Sequence, residues 1–548
     1  MIVALLVATA WAQRQILPVH GVRGGELVAA AASDPQTLNP VFATDNASQL
    51  ISSLTQADLM HINPRTLKVE PALATKVVQV SDRVWKVELR RDVKFSDGVP
   101  FTSADVAFSF AVYTDPKLDA PERELLTVKG APIRCRVTGP LEVELDLPAP
   151  VAVGDRLFDS VWMLPQHLLD PIYRRGQLQQ AWGPSTPPAQ MAGLGAFRLD
   201  QFAPGQSVHL ARNPYYWQAD ATGAALPYVN GVRLRVVADA NLRFTLFARG
   251  QLDGMDPVSS ADFVRLQGNP CCHMMDAGPG LNSEVLVLNF AARPYFARPE
   301  FRRALSQAID RANLVANVYD GKAVALASLT SPSSGMWADP TPPTAVNPAA
   351  ARAALAAIGF HVGQGEQGVL RDPQGQPVSF SLLVPATNQA RMKMAVFLQE
   401  DLRRIGIAMA VVPVDFATYV DRLLHRRDFE AALLGVQIPD ADPNTESNEW
   451  TLAGSLHLWN HTPSAAPGWE LDLDRWFQQQ LATTDPAERL RIYRRIQATE
   501  RQQLPLIPLL APDILSGTRT GLQAAAPALL PPHWLWNAAE LYWSPERR

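Results

Sequence analysis

A chain of 548 residues with 47% hydrophobic content can bury two or three domain cores and is not a disordered protein. Its formal net charge of -4, with no long run of Lys or Arg, leaves little electrostatic attraction for nucleic acid or another polyanion. Three cysteines, Cys135 and the adjacent Cys271 and Cys272, are too few for a disulfide framework.

The amino-terminal segment holds an apolar run, Ile2 to Thr9, then Ala10-Trp11-Ala12 and the polar Gln13-Arg14-Gln15. That is the shape of a signal peptide's apolar region and small-residue cleavage site, here residues 1–12, although Met1 leads into it without basic residues. The run is too short to span a bilayer, and no later segment reaches the roughly 18 uninterrupted apolar residues of a membrane helix. The expected location is therefore periplasmic or otherwise extracytoplasmic.

From Val84 to Arg90, Trp85, Val87 and Leu89 alternate with charged residues and predict a half-buried strand. Thr102 with Asp105 predicts a capping box, and Val106, Phe110 and Tyr113 fall on one face of the helix it starts. Leu141, Val143, Leu145 and Leu147 alternate with acids, giving a second strand that can pair with the first in a small α+β unit. Phe197 to Leu210 reads as a hairpin about Ala203-Pro204-Gly205, leading into Asn213-Pro214-Tyr215-Tyr216-Trp217. Val232, Leu234 and Val236 predict a strand; Asp239 then caps a helix stopped by Gly250. Phe301, Ala304, Leu305, Ala308 and Ile309 repeat at helical spacing from Pro299. Asn347-Pro348 opens another helix, closed by Gly359, and a further helix from about Arg391 to Ile405 ends at Gly406. Ala431 to Leu434 reads as a buried strand before a Pro- and Asp-rich loop. Strands and helices alternate, so the class is α/β.

Catalytic signatures are sparse. Gly193-Leu194-Gly195 lacks the third glycine of a dinucleotide fingerprint, and Gly278-Pro279-Gly280-Leu281-Asn282-Ser283 lacks a phosphate-loop lysine. His-Glu-x-x-His and Gly-x-Ser-x-Gly do not occur. Cys271-Cys272-His273-Met274-Met275 carries soft-metal donors, but neighbouring side chains of an extended segment point to opposite faces, so a plain strand is the stronger reading. The loop Gln437-Ile438-Pro439-Asp440-Ala441-Asp442-Pro443-Asn444 admits two readings. Its acids cap turn amides, or it lines a ligand cleft at the carboxyl end of a sheet strand. Tyr215, Tyr216, Trp217 and Trp459 are likewise packing residues or a ligand platform, with packing favoured.

Four blocks, in this order and spacing, resemble the family 5 extracellular solute-binding proteins, the oligopeptide, dipeptide and nickel receptors of ABC importers. They are Pro71-Ala72-Leu73-Ala74-Thr75, Trp85-Lys86-Val87-Glu88-Leu89-Arg90, Val93-Lys94-Phe95-Ser96-Asp97-Gly98 and Ala104-Asp105-Val106. Asp34-Pro35-Gln36-Thr37-Leu38-Asn39-Pro40, Arg212-Asn213-Pro214-Tyr215-Tyr216-Trp217, Arg303-Ala304-Leu305 and Ile309-Asp310-Arg311 support the match. The resemblance implies a two-lobed periplasmic binding protein type II fold with a hinge and an extra α+β subdomain. Lobe I would take residues 24–62, 172–275 and 503–548, the subdomain 63–171 and lobe II 276–502. It also implies a non-enzymatic, cofactor-free monomer that holds a peptide or peptide-like ligand between the lobes and delivers it to permease subunits. Implied cleft contacts are Asp45, Asn289, Val436, Gln437, Asp440, Asp442 and Trp459.

Oligopeptide receptors of this family tend to hold a peptide amino terminus with a Trp and, three residues later, an Asp that lies four before a Pro. Counting back from Pro443 places Pro439 and Val436 there, leaving Asp440 or Asp442 to supply the charge after a small shift. Two other functions compete. One is a metal or metallophore receptor on the same fold, motivated by the nickel branch and the Cys-Cys-His-Met-Met run; the other is an extracytoplasmic hydrolase.

Overall fold

The computed structural model describes residues 23–544 except 124, 160, 364–367 and 463–465, so the expected signal peptide lies outside the described residues. The first sheet has four strands in the order Glu26–Ala31, Gly231–Val236, Ser207–Arg212, Phe197–Ala203, with the first pair parallel and the others antiparallel. Leu27 and Ala29 alternate inward, and Gly205 at φ 71° allows the tight turn of the hairpin.

A second four-stranded sheet, all antiparallel, runs Ala74–Gln79, Val84–Leu89, Glu142–Asp146, Arg134–Gly139. Val87 lies opposite Val143 and both are fully buried, as the alternation in these strands requires. Helix Ser103–Tyr113 starts on the expected capping box, and Asp105 also accepts the Gln166 amide at 3.0 Å. The two sheets share one continuous core, which Trp534 and Leu541 join from the carboxyl-terminal segment. The Gly193 and Gly195 loop presses on the end of helix Asn46–Thr55. A Cβ there would meet Thr55 backbone atoms at 2.0 and 2.5 Å, so close approach explains these glycines.

The third sheet has eight strands; along its main path run Gly254–Met255, Leu506–Arg519, Ser283–Leu288, Ala431–Val436, Ser379–Pro385 and Ala408–Val414. Alternate residues of Ser283–Leu288 enter two cores. Leu286 and Leu288 pack with Phe301, Leu305 and Leu398, and Val285 and Val287 with Leu473, Phe477 and Ile496. Burial on both faces explains the apolar run Val285 to Leu288, and truncating Leu286 to Ala would cost about 2–5 kcal/mol.

Leu506–Arg519 has two partners in succession. Its first part pairs with Ser283–Leu288, and from Asp513 onward it pairs with Cys272–Pro279. Gly280-Leu281-Asn282 joins those two partner strands, so two chain segments run between the sheet's halves. The Cys271 run is a strand, as its alternation implied: Cys272 and Met275 are buried and His273 is exposed. The sulfurs of Cys271 and Cys272 are bonded to each other and Cys135 is free, so the five side chains do not converge on one ion.

Candidate ligand-binding cleft

The carboxyl ends of Ser379–Pro385, Ala408–Val414 and Ala431–Val436 share one edge with the start of Ser283–Leu288; Pro385 is level with Val414 and Ser283 with Val436. Ligands bind outside the carboxyl ends of strands in open α/β sheets. An open pocket of about 380 Å³ lies at this edge, lined by Pro385, Thr387, Asn388, Gln389, Arg391 and Phe416. Asn388 caps helix Gln389–Arg403 and thereby sets Arg391 in its first turn. The Arg391 guanidinium grips Glu284 through Nε at 2.8 Å and Nη2 at 3.2 Å. Glu284 is opposite Gly435 in register, and a Cβ on Gly435 would lie 1.8 Å from Arg391 Nη2. The missing side chain makes room for the ion pair.

The loop after Ala431–Val436 is tied to the Gly280–Asn282 connection. Asn282 Nδ2 donates to Gln437 at 3.0 Å, and Asn282 Oδ1 accepts from the Ile438 amide at 2.9 Å. Further along, the two acids differ. Both oxygens of Asp442 are held by buried Arg489, at 2.5 and 2.6 Å, while Asp442 also caps turn Pro443–Glu446. Both oxygens of Asp440 rest on a single nitrogen, Arg156 Nη1, at 2.5 and 2.6 Å. Burial raises the Asp440 carboxyl, and Arg156 opposes that rise.

Arg156 Nη2 donates to Leu67 O at 3.0 Å. Its neighbours Val153, Leu157 and Phe158 belong to the core of the first two sheets, whereas Ile438 belongs to a core of the third. The Arg156–Asp440 pair therefore links two cores, and Leu67 packs with Ile438 in the second of them.

Of the implied cleft contacts, Gln437 meets Asn282 and Asp440 meets Arg156, in two separate contacts of the same loop. The others lie in internal contacts. Asp45 caps helix Asn46–Thr55 and accepts from Ser48 N at 3.0 Å and Ser48 Oγ at 2.5 Å. Asn289 donates to Phe429 O at 3.0 Å, and Trp459 is fully buried with its indole N–H on Glu470 at 3.1 Å. Val436 is fully buried and Pro439 is exposed, so neither clamp position of the oligopeptide pattern offers a ligand contact of the usual kind. Sequence reasoning missed Arg156, Arg391 and Glu284. The signal for Glu284 was present, as the lone charge in an otherwise apolar strand.

Residues 68–455 match the family described as bacterial extracellular solute-binding proteins, family 5 Middle. A probable ABC transporter-binding protein of Deinococcus radiodurans is 26% identical over 528 residues, covering 90% of this chain and 87% of that one. A glutathione-binding protein of Escherichia coli is 24% identical over 521 residues, covering 94% and 93%. The crystal structure of the ABC transporter substrate-binding protein CtaP from Listeria monocytogenes superposes with a TM-score of 0.80 at 20% identity, covering 95% of this chain and 99% of that one. No helix among the described residues is long and apolar enough to cross a membrane. With the family match spanning most of the chain and the two-lobed fold shared along nearly all of it, the protein belongs to the family 5 bacterial extracellular solute-binding proteins of ABC transporters.

Proposed function

We propose that the protein is the extracytoplasmic, monomeric receptor of an ABC importer and captures a peptide or peptide-like ligand bearing a free amine and a carboxylate. The observation that carries this reading is the Arg156–Asp440 bridge, in the loop that follows strand Ala431–Val436 at the carboxyl edge of the third sheet. A zwitterionic ligand entering there replaces one internal ion pair by two external ones: its ammonium takes Asp440 and its carboxylate takes Arg156. Asp442 is less suited to this exchange, since Arg489 already holds it bidentately in a buried site.

The two segments at Gly280–Asn282 and near Ala511–Asp513 would form the hinge, dividing the third sheet's halves between the lobes. Closure follows because the ligand touches both lobes only when they are together, which shifts the population toward the form the permease recognises. Micromolar affinity needs about 8 kcal/mol net, within reach of a small ligand mostly buried in a cleft. The glutathione-binding relative, itself a receptor for a small peptide, supports the ligand class. Native mass spectrometry of protein purified from its own export compartment tests it. A retained peptide-like molecule is expected; retention of sugar or metal chelate alone would overturn the reading.

A further inference from the structure

Asp58, His61 and Asp159 form a cluster outside the ligand cleft. Asp58 precedes strand Met60–Ile62, and its carbonyl accepts from the Leu73 amide at 3.1 Å. His61 lies within that strand, and Asp159 follows the turn Arg156–Phe158. The Ile62 amide donates to Asp159 Oδ1 at 2.5 Å, orienting this carboxylate as outer partners orient metal ligands.

His61 Nδ1 is 3.5 Å from Asp58 Oδ2 and also 3.5 Å from Asp159 Oδ1. Charge-assisted hydrogen bonds between such groups span about 2.7–2.9 Å, so neither contact is a good one. Two donors bound tetrahedrally at about 2.0–2.2 Å from one ion are about 3.3–3.5 Å apart, which matches both separations. The three donor atoms all lie within 4.8 Å of one another.

The charge balance also favours a cation. The Asp58 side chain is only 4% exposed, and its side-chain partner among the described residues is His61 at that long distance. A buried carboxylate so weakly satisfied is costly unless it is paired or coordinates a metal. The further charges acting on the cluster, Glu70 on His61 and Asp440 on Asp159, are acidic. The His61 side chain is 45% exposed, which provides a route for an ion and room for solvent ligands.

We propose that His61 Nδ1 and one oxygen each of Asp58 and Asp159 bind a divalent transition-metal ion, with solvent completing the coordination. Imidazole with carboxylates suits Zn²⁺ and its neighbours better than Mg²⁺. The ion would clamp strand Met60–Ile62 to the segment that presents Arg156, stiffening one wall of the cleft. This site stands independently of the ligand reading.

The test is calorimetric titration of tag-free, chelator-stripped full-length protein with ZnCl₂, with MgCl₂ in parallel. The expected result is one Zn²⁺ per chain and no Mg²⁺ binding. His61→Gln and Asp159→Asn should each weaken Zn²⁺ binding about tenfold or more, while His273→Gln in the cysteine-rich strand leaves it unchanged. Absence of Zn²⁺ binding by the wild type, full binding by a folded His61→Gln or Asp159→Asn protein, or loss in His273→Gln would overturn the proposal. Circular dichroism establishes folding, and if one variant fails to fold, the other and the wild-type stoichiometry decide.

Discussion

Arg156 holds both carboxylate oxygens of Asp440 through one terminal nitrogen, joining residues 284 positions apart in the chain. Two residues on, Asp442 uses both terminal nitrogens of Arg489 and is 4% exposed. These neighbouring acids therefore predict opposite mutant phenotypes. Asp440→Asn should weaken peptide binding about 10- to 100-fold, as expected for loss of one charge-assisted contact, and cost less stability than Asp442→Asn, because Arg156 is more exposed than Arg489. Asp442→Asn should cost about 3–5 kcal/mol in urea unfolding, because it breaks a buried pair and strands Arg489. Equal effects of the two substitutions on both measurements would refute the division of roles.

Gly435→Ala should be disruptive although it adds one methyl group. The new Cβ would stand 1.8 Å from Arg391 Nη2 and 3.4 Å from Glu284 Oε1, so the guanidinium must leave the carboxylate. A loss of about 1–3 kcal/mol is expected from the displaced side chain and the poorly satisfied Glu284. Chemical denaturation measures it, and wild-type stability in this variant would show that the ion pair carries little weight.

Stability should fall as pH rises from about 6.5 to 8. Burial lifts Glu446 to about 7, against hydrogen bonds from Trp450 and Tyr493, and lifts Glu449 to about 8. Both values are above the ordinary 4.5, so from 4.5 up to about 7 for Glu446 and about 8 for Glu449 the folded state keeps a proton that the unfolded chain has released. Their stabilisation is complete below the unfolded value and is lost through the folded one. His461, lowered to about 4 by burial, has its effect below this range. Thermal melts across the window should decline, with a shallower slope in Glu449→Gln; a flat profile would contradict this.

Thr102→Ala should remove one half of the capping box at helix Ser103–Tyr113 and cost about 1 kcal/mol. Asp105→Ala should cost more, because it also deprives the Gln166 amide of its acceptor. Melting temperatures of the two variants give the order.

Elements with a clear period were legible in the sequence. Phe301, Ala304, Leu305, Ala308 and Ile309 repeat at helical spacing and are all at most 1% exposed. The later helix starts at Gln389 rather than Arg391, because Asn388 caps it from a turn that carries no apolar repeat. Asp442 capping a turn was likewise visible, since Asp before Pro does this through local chemistry. The cleft was not legible to the same extent. Arg391 meets Glu284 across 107 positions, and Arg156 sits in a stretch without period, so both pairings depend on how sheets pack. Trp459, named as a cleft contact although packing was the favoured reading, is placed by core packing, and its polar edge found Glu470.

The most direct measurement is a thermal-shift screen of the wild-type protein against dipeptides, tripeptides and glutathione. Each is tested beside its N-acetylated, C-amidated counterpart, with sugars and Ni(II)–histidine in parallel. Binding to the folded state alone raises its stability by about 2.7 kcal/mol at a hundredfold excess over Kd, which a melt resolves. The expected result is a rise in melting temperature with at least one free peptide and its disappearance when both ends are capped. Equal shifts from free and capped peptides, or shifts from sugars or metal chelates alone, would contradict a zwitterionic ligand exchanging with Arg156 and Asp440.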